Sequence, residues 1–116
     1  MNGQAFLSAL DLPANSRVDH RVPKKLLLEN GAPKRSFQLD KDVVTIGRLE
    51  ASDVVLRDPG ASRQHAEIRR TEDGYVLSDL GSTNGTMVNE ATVSERELQE
   101  GDRITIGRTV LEFRRT

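Results

Sequence analysis

Short apolar runs separated by turn residues fill the chain from Lys24 onward. In the run at residues 65–70, Ala66 and Ile68 alternate with charged or polar neighbours, which is the period-two pattern of a strand with one buried face. Dipeptides such as Asn30-Gly31 are typical of hairpin turns, and a two-residue loop with glycine first, as at Gly107, suits a type II′ turn. The predicted strands are 25–29, 36–39, 42–46, 54–56, 65–70, 75–77, 87–88, a strand and loop at 94–98, 103–106 and 109–113.

Ten or so short strands with turns every few residues predict an all-β fold, an antiparallel β-sandwich. A chain of 116 residues is long enough for one such domain. Residues 1–23 have a different pattern, because Pro13 ends any helix formed by the apolar residues before it and residues 13–23 are polar. We therefore predict a flexible leader at 1–23 and one domain at 24–116, with a docking motif in the leader as the alternative.

Charge and composition exclude several classes of function. The chain has 17 Lys and Arg against 18 Asp and Glu, with a net charge of +3 in residues 1–39 and −4 in residues 40–116. This balance argues against bulk electrostatic binding to nucleic acid. The chain has no cysteine and two histidines, so we expect no metal, no cofactor and no disulfide. No apolar run approaches the ~20 residues of a membrane helix. We expect a cytoplasmic protein, with a nuclear location open if it is eukaryotic.

Polar residues suited to anion binding occur in three of the predicted loops. These are the runs IGR at 46–48, SRQH at 62–65 and GSTNGT at 81–86. An arginine guanidinium offers a planar fork that matches two oxygens of a phosphate. The run TIGR at 45–48 recurs at 105–108, but Arg48 opens a longer loop whereas Arg108 lies in a tight hairpin that faces solvent. We predict that Arg48 is the anion ligand and assign no such role to Arg108.

A hydrolase is the enzymatic alternative, because Ser62 precedes His65 by three residues. The chain lacks the Gly-x-Ser-x-Gly elbow, and a strand would place residues 62 and 65 on opposite faces. We therefore predict no catalytic residue.

The order and spacing of the three runs resemble the forkhead-associated (FHA) domain, a module that reads phosphothreonine in partner proteins. The resemblance extends from about Lys24 to Arg114 and implies a two-sheet sandwich of about eleven strands. It also implies that variable loops read the third residue after the phosphothreonine, for which 49–51 and 90–92 are candidates. The implied ligand contacts are Arg48, Ser62 (a donor to the phosphate), Arg63, Ser82, Thr83 (in the phosphate pocket) and Asn84 (on the peptide backbone), and the implied structural residues are Gly47, His65 and Gly85.

The function implied by this resemblance is that of a signalling adaptor in Ser/Thr kinase pathways. Its partners would be phosphothreonine-containing proteins, bound reversibly and in trans, because residues 1–44 contain no threonine for an internal ligand. A monomer is the default. Two alternatives stay open: a phosphate-independent protein-interaction domain, and a nucleic-acid-associated adaptor that uses the basic N-terminal arm. The second is weakened because Phe37 is the only ring among the basic residues of that arm.

Overall fold

The computed structural model describes residues 24–30 and 35–115, which form eleven strands in two sheets. The predicted leader at 1–23 and the glycine of the predicted Asn30-Gly31 turn lie outside the described residues. The strands are β1 Lys24–Leu28, β2 Ser36–Gln38, β3 Val43–Gly47, β4 Val54–Val55, β5 Ala66–Thr71, β6 Gly74–Asp79, β7 Thr86–Val88, β8 Ala91–Val93, β9 Glu95–Glu97, β10 Arg103–Ile106 and β11 Thr109–Arg115.

The predicted sandwich is confirmed, with one refinement of its strand directions. One sheet has the order β2-β1-β11-β10-β7-β8 and the other the order β4-β3-β5-β6-β9. The pairs are antiparallel except for β3 and β4, which run parallel with Ile46 opposite Val54. The loop between them, residues 48–53, returns along β3, and Asp53 accepts a hydrogen bond from the Thr45 amide at 2.9 Å. This return places β4 in the same direction as β3 without a helical crossover.

The core follows the alternation of the strands. In β3 and β5, the side chains of Val44, Ile46 and Ile68 are at most 2% exposed, whereas the intervening residues are partly or fully accessible. The facing sheet contributes apolar side chains of β1, β10 and β11, among them Phe113. The rings of Tyr75 and Phe113 meet edge to face with centroids 5.5 Å apart. Burial of these two apolar faces against each other holds the sheets together.

Strand β8 corrects the sequence prediction at residues 90–92, which were candidates for a variable loop. Ala91–Val93 pairs with β7 through a two-residue turn at Asn89 and Glu90, whose φ angles of 51° and 72° are both left-handed. The Asn89 side chain holds this turn by donating to Asp102 and accepting from the Arg103 amide. Asn89 therefore fastens the β7–β8 turn to the segment before β10.

The turns that flank the sandwich otherwise follow the sequence. Gly107 has a φ of 61° and Arg108 does not share the left-handed conformation, as a type II′ turn requires. Residues 94–98 contain the short strand β9, in agreement with the predicted strand and loop. Three connections meet at one end of the sandwich and carry the candidate site. They are the β3–β4 loop (48–53), the β4–β5 loop (56–65) and the β6–β7 loop (80–85).

Candidate functional site

The β4–β5 loop lies between the other two loops and is hydrogen-bonded to both. The Arg48 amide donates to the Ser62 carbonyl at 3.1 Å, and the Leu49 amide donates to the Arg63 carbonyl at 3.3 Å. On the other side, the Thr83 amide donates to the Ser62 hydroxyl oxygen at 3.0 Å. The three polar runs found in the sequence therefore form one continuous surface.

Gly47 brings β3 close to the β4–β5 loop. A Cβ at this position would lie 2.0 Å from the main-chain oxygen of Arg63, which is far inside a van der Waals contact. Glycine is thus required by the close approach of two main chains rather than by a turn. The approach delivers the next residue, Arg48, to the open surface of the site.

Arg48 is oriented by a single bond that leaves its outer nitrogens available. Its Nε donates to the Ala61 carbonyl at 2.6 Å. The two terminal nitrogens have no partner among the described residues, and the residue is exposed. A guanidinium held in this way presents two parallel N–H donors, which is the arrangement that binds two oxygens of a phosphate.

His65 joins two of the loops from beneath the site. Its side chain is fully buried, and its Nδ1 accepts a hydrogen bond from the Ser62 amide at 2.9 Å. Nε2 must therefore carry the proton, which it donates to the Gly85 carbonyl 2.9 Å away. Because both ring nitrogens bind main-chain groups, His65 does not serve as a base for the Ser62 hydroxyl.

The Ser62 hydroxyl keeps its proton free for a ligand. Its oxygen accepts the bond from Thr83, and no acceptor for its own proton lies among the described residues. The side chains of Arg63 and Thr83 are exposed beside it and likewise make no hydrogen bond within the described part of the chain. Together with Arg48, these three residues place hydrogen-bond donors on the three joined loops.

Asp79 organises the β6–β7 loop through four hydrogen bonds. One carboxylate oxygen accepts the amides of Gly81 and Ser82 at 2.8 Å, and the other accepts the hydroxyls of Ser82 and Thr86. Burial raises the pKa of Asp79, but these hydrogen bonds to its charged form outweigh burial and hold the pKa below its ordinary value.

Ser82 is committed to this internal arrangement. It donates its only hydroxyl proton to Asp79, and its oxygen accepts the Gly85 amide at 2.9 Å. The geometry thus places Ser82 inside the loop, whereas the sequence prediction grouped it with the ligand contacts. Gly85 adopts a left-handed φ of 86°, a conformation that glycine takes at little cost.

Asn84 lies at the exposed edge of the same loop. Its amide nitrogen donates to the Gly60 carbonyl at 3.0 Å. The carboxamide oxygen has no partner among the described residues, so it is available to accept an N–H from an extended peptide.

The turn at residues 58–61 supports the site, because its carbonyls hold the side chains of Arg48 and Asn84. Its Asp58 carboxylate accepts the Gly60 amide at 2.8 Å, the Arg108 amide at 2.8 Å and the Thr109 hydroxyl at 2.7 Å. Burial raises the pKa of Asp58, but these bonds lower it by more, so that it lies below the ordinary value. The acidic first residue of the turn signalled the local bond, but no sequence signal indicated the partners 50 residues away.

Two other kinds of site are not found in the described ranges. Residues 24–30 and 35–115 contain no group of three or more metal-ligating side chains that could hold an ion. Within the same ranges, no helix is long and apolar enough to span a membrane.

Comparison with known proteins identifies the fold family. The sequence profile of the FHA domain matches residues 44–107. Glycogen accumulation regulator GarA of Mycobacterium tuberculosis (strain H37Rv) is 36% identical over 118 residues, covering 93% of this chain and 73% of GarA. The oxoglutarate dehydrogenase inhibitor of Corynebacterium efficiens is 44% identical over 110 residues, covering 94% and 72%. An FHA domain solved in a study of phosphothreonine-dependent interactions is 40% identical, with a TM-score of 0.75, over 79% of this chain and 95% of that one. The chain belongs to the FHA domain family.

Proposed function

We propose that this chain binds phosphothreonine in partner proteins and acts as a signalling adaptor in Ser/Thr kinase pathways. The observation that carries the proposal is a pair of donors, the Arg48 guanidinium fork and the Ser62 hydroxyl, whose outer N–H and O–H groups have no partner among the described residues. Their loops are joined by the bond from the Arg48 amide to the Ser62 carbonyl. The solved relative studied for phosphothreonine-dependent interactions supports the choice of ligand. GarA and the oxoglutarate dehydrogenase inhibitor, whose names describe regulators, support the adaptor role.

Each side chain has a distinct part in this proposal. Arg48 binds two phosphate oxygens, and Ser62 donates its hydroxyl proton to a phosphate oxygen. Thr83 lines the phosphate pocket, and Arg63 makes a peripheral contact with the phosphate or the peptide. Asn84 binds the peptide backbone next to the phosphothreonine. Gly47, His65, Ser82 and Gly85 shape the loops and do not contact the ligand.

The expected affinity suits reversible signalling. A phosphothreonine carries about −1.5 to −2 charges near neutral pH. Hydrogen bonds to charged groups contribute about 1.5–3 kcal/mol each. Three of them, with a short stretch of peptide backbone, correspond to a free energy of about −8 kcal/mol and a micromolar Kd.

The role is that of a binding module rather than an enzyme. Ser62 and His65 are the pair that most resembles a nucleophile with its base, and both nitrogens of His65 are engaged with the main chain. A cytoplasmic monomer that binds its partners in trans is the simplest form of such an adaptor.

Capture from a degenerate peptide library tests the proposal. The library is prepared in phosphothreonine, phosphoserine and unphosphorylated forms and presented to the wild-type protein, to Arg48→Ala and to the control Arg108→Ala. We expect selective capture of phosphothreonine peptides by the wild type and the control, and its loss in Arg48→Ala. Capture that is indifferent to phosphate would contradict the proposal and indicate a phosphate-independent interaction domain.

Mass spectrometry of the phosphopeptide after incubation with the protein tests the enzymatic alternative. We expect the peptide to remain intact, and turnover that depends on Ser62 would show an enzyme instead.

A further inference from the structure

A second cationic surface lies beside the candidate site, across the turn at residues 58–61. It is a cleft of about 480 Å³ between the ends of the two sheets, hereafter the arginine cleft. Its floor is apolar and three arginine side chains line it. The apolar floor consists of Leu28, Phe37 and Leu56. The arginines are Arg35, Arg57 and Arg108.

The three guanidinium groups are available to a ligand. The Arg108 side chain has no hydrogen bond or ion pair within the described ranges, although its amide donates to Asp58. Arg57 pairs with Glu50 at 3.1 Å, but the two side chains are 77% and 82% exposed, so this pair contributes little and exchanges readily. The Arg35 guanidinium lies 4.9 Å from the centre of the Phe37 ring, an arrangement that leaves its N–H edge open.

The negative charges near the cleft do not cancel these arginines. Asp58 lines the cleft but is only 7% exposed, and its two oxygens accept bonds from Gly60, Arg108 and Thr109. Glu50 lies outside the lining, and its exposed pair with Arg57 is weak enough for a ligand carboxylate to replace it. The cleft is therefore a local concentration of positive charge on a body whose residues 40–116 have a net charge of −4.

We propose that the arginine cleft binds an acidic segment of the phosphorylated partner, one that also carries an aliphatic or aromatic side chain for the apolar floor. Guanidinium groups form bidentate bonds with carboxylates, and the floor of Leu28, Phe37 and Leu56 buries an apolar side chain. The leader is a poor occupant, because residues 1–23 carry two Arg and two Asp and have no net negative charge. An acidic segment on another protein complements the cleft in both charge and hydrophobicity.

The turn at 58–61 connects the arginine cleft to the phosphothreonine site. Its Ala61 and Gly60 carbonyls hold Arg48 and Asn84 on one side, while Asp58 holds the Arg108 amide on the other. A single partner chain can therefore occupy both surfaces, and the second contact raises the affinity through effective concentration. This bivalent form rests on the proposed phosphothreonine function, whereas binding of the acidic segment to the cleft does not.

Two peptides with the same phosphothreonine core test the inference. One continues into a segment rich in glutamate with one leucine, and its control continues into a serine-rich segment of equal length. They are titrated by fluorescence anisotropy at low salt into the wild type, Arg35→Ala/Arg57→Ala/Arg108→Ala and the control Arg114→Ala. Arg114 lies near the far end of β11, about 16 Å along the strand from Thr109 at its start. We expect about tenfold tighter binding of the acidic peptide to the wild type and to Arg114→Ala.

The triple variant separates the inference from the proposed function. We expect it to lose the tenfold gain while binding the serine-rich peptide as the wild type does. A gain that persists in the triple variant would overturn the arginine cleft as the acidic site. Thermal unfolding of the triple variant shows whether it retains the fold. An oligonucleotide bound with the same dependence on the three arginines, and as tightly as the acidic peptide, would overturn the assignment to an acidic protein segment.

A second readout covers the case in which neither phosphopeptide binds the wild type, a result that would overturn the proposed function alone. The unphosphorylated acidic segment is added to 15N-labelled protein, and amide chemical shifts are followed by NMR. Shifts at Leu56, Arg57 and Arg108 would support the arginine cleft by themselves. Saturating addition with no shift at these amides would overturn it.

Discussion

The same four residues, Thr-Ile-Gly-Arg, occur at 45–48 and at 105–108, and the fold uses them in two different ways. In the first copy, Gly47 ends strand β3 in close contact with the main chain of Arg63, and Arg48 is fixed by the Ala61 carbonyl. In the second copy, Gly107 begins the β10–β11 turn with a φ of 61°. The role of each arginine is therefore determined by the part of this chain that contacts the tetrapeptide, and not by the tetrapeptide itself.

Both copies meet the same partner, the turn at residues 58–61. Ala61 binds the side chain of Arg48, whereas Asp58 binds the main chain of Arg108. One arginine is therefore oriented through its guanidinium, whereas the side chain of the other has no partner among the described residues. The first arrangement suits a precise phosphate contact, and the second suits a looser acidic contact in the arginine cleft.

Replacement of the two glycines is expected to have the largest effects. A Cβ at Gly47 would lie 2.0 Å from the Arg63 main-chain oxygen, so Gly47→Ala should lower the free energy of unfolding by about 3 kcal/mol and abolish peptide binding. A Cβ at Gly107 would meet the Asp58 side chain at 2.6 Å, so this carboxylate would have to shift and weaken its bonds to Arg108 and Thr109. Gly107→Ala should lower the free energy of unfolding by about 2–3 kcal/mol, because it disturbs the Asp58 bonds but no main chain. Urea unfolding of both variants measures the difference, and a larger cost at Gly107 would contradict the comparison.

Removal of the Asp58 carboxylate should have the next largest effect on stability. Asp58→Ala leaves the Gly60 amide, the Arg108 amide and the Thr109 hydroxyl without their acceptor, and we expect a loss of about 2–3 kcal/mol in urea unfolding. Asp40→Ala is the control, because Asp40 is exposed and has no partner among the described residues. Equal stability of the two variants would show that Asp58 does not hold the second copy in place.

Acidification should weaken the turn at residues 58–61 and the β6–β7 loop, because each is held by a hydrogen-bonded carboxylate. The pKa values of Asp58 and Asp79 are held below the ordinary value by hydrogen bonds to their charged forms. Their contribution to stability is complete above the ordinary carboxyl pKa of about 3.9 and is lost as the pH falls toward the lower pKa of the folded state. The free energy of unfolding should therefore decline below about pH 5. Asp79→Asn should be less stable at neutral pH and decline less steeply, as measured by urea unfolding across pH; an unchanged slope would contradict this role.

The smallest effects are expected from the neutral groups of the site. Ser62→Ala removes the hydroxyl expected to donate to the phosphate, and Asn84→Ala removes the amide expected to bind the peptide backbone. Each should weaken phosphothreonine-peptide binding by about tenfold, which corresponds to about 1.4 kcal/mol. Isothermal titration calorimetry measures the change, with thermal unfolding as the check on the fold. Unchanged affinity in Ser62→Ala would remove Ser62 from the phosphate contacts.

Most of the fold could be predicted because alternation of apolar and polar residues is a local signal. Ala66 and Ile68 are buried as their spacing indicated, and the turn at Gly107 has the expected conformation. Strand β8 was missed because Ala91–Val93 is short and largely exposed, and because its turn places Glu90 in a left-handed conformation that sequence patterns do not favour. The parallel pairing of β3 with β4 depends on the return path of a loop, which no periodicity reports.

The sequence predicted which loops carry the candidate site, but not the bonds that hold these loops together. Loop length distinguished Arg48 from Arg108, and the three polar runs do lie together. The bonds of His65 to Ser62 and Gly85, and those of Asp58 to Arg108 and Thr109, join residues brought together only by the folded sandwich. The commitment of the Ser82 hydroxyl to Asp79 is likewise a product of the loop conformation, which explains why sequence reasoning grouped Ser82 with the ligand contacts.

The most direct measurement is the affinity of one short phosphothreonine peptide, without an acidic extension, for the wild type, Arg48→Ala and Arg108→Ala. Loss of two charge-assisted bonds of about 1.5–3 kcal/mol each predicts that Arg48→Ala weakens binding at least 100-fold. Arg108→Ala should bind this peptide as the wild type does, because its guanidinium faces the arginine cleft. Equal weakening by the two variants, or none by Arg48→Ala in a folded protein, would contradict the assignment of the phosphate to the first Thr-Ile-Gly-Arg copy.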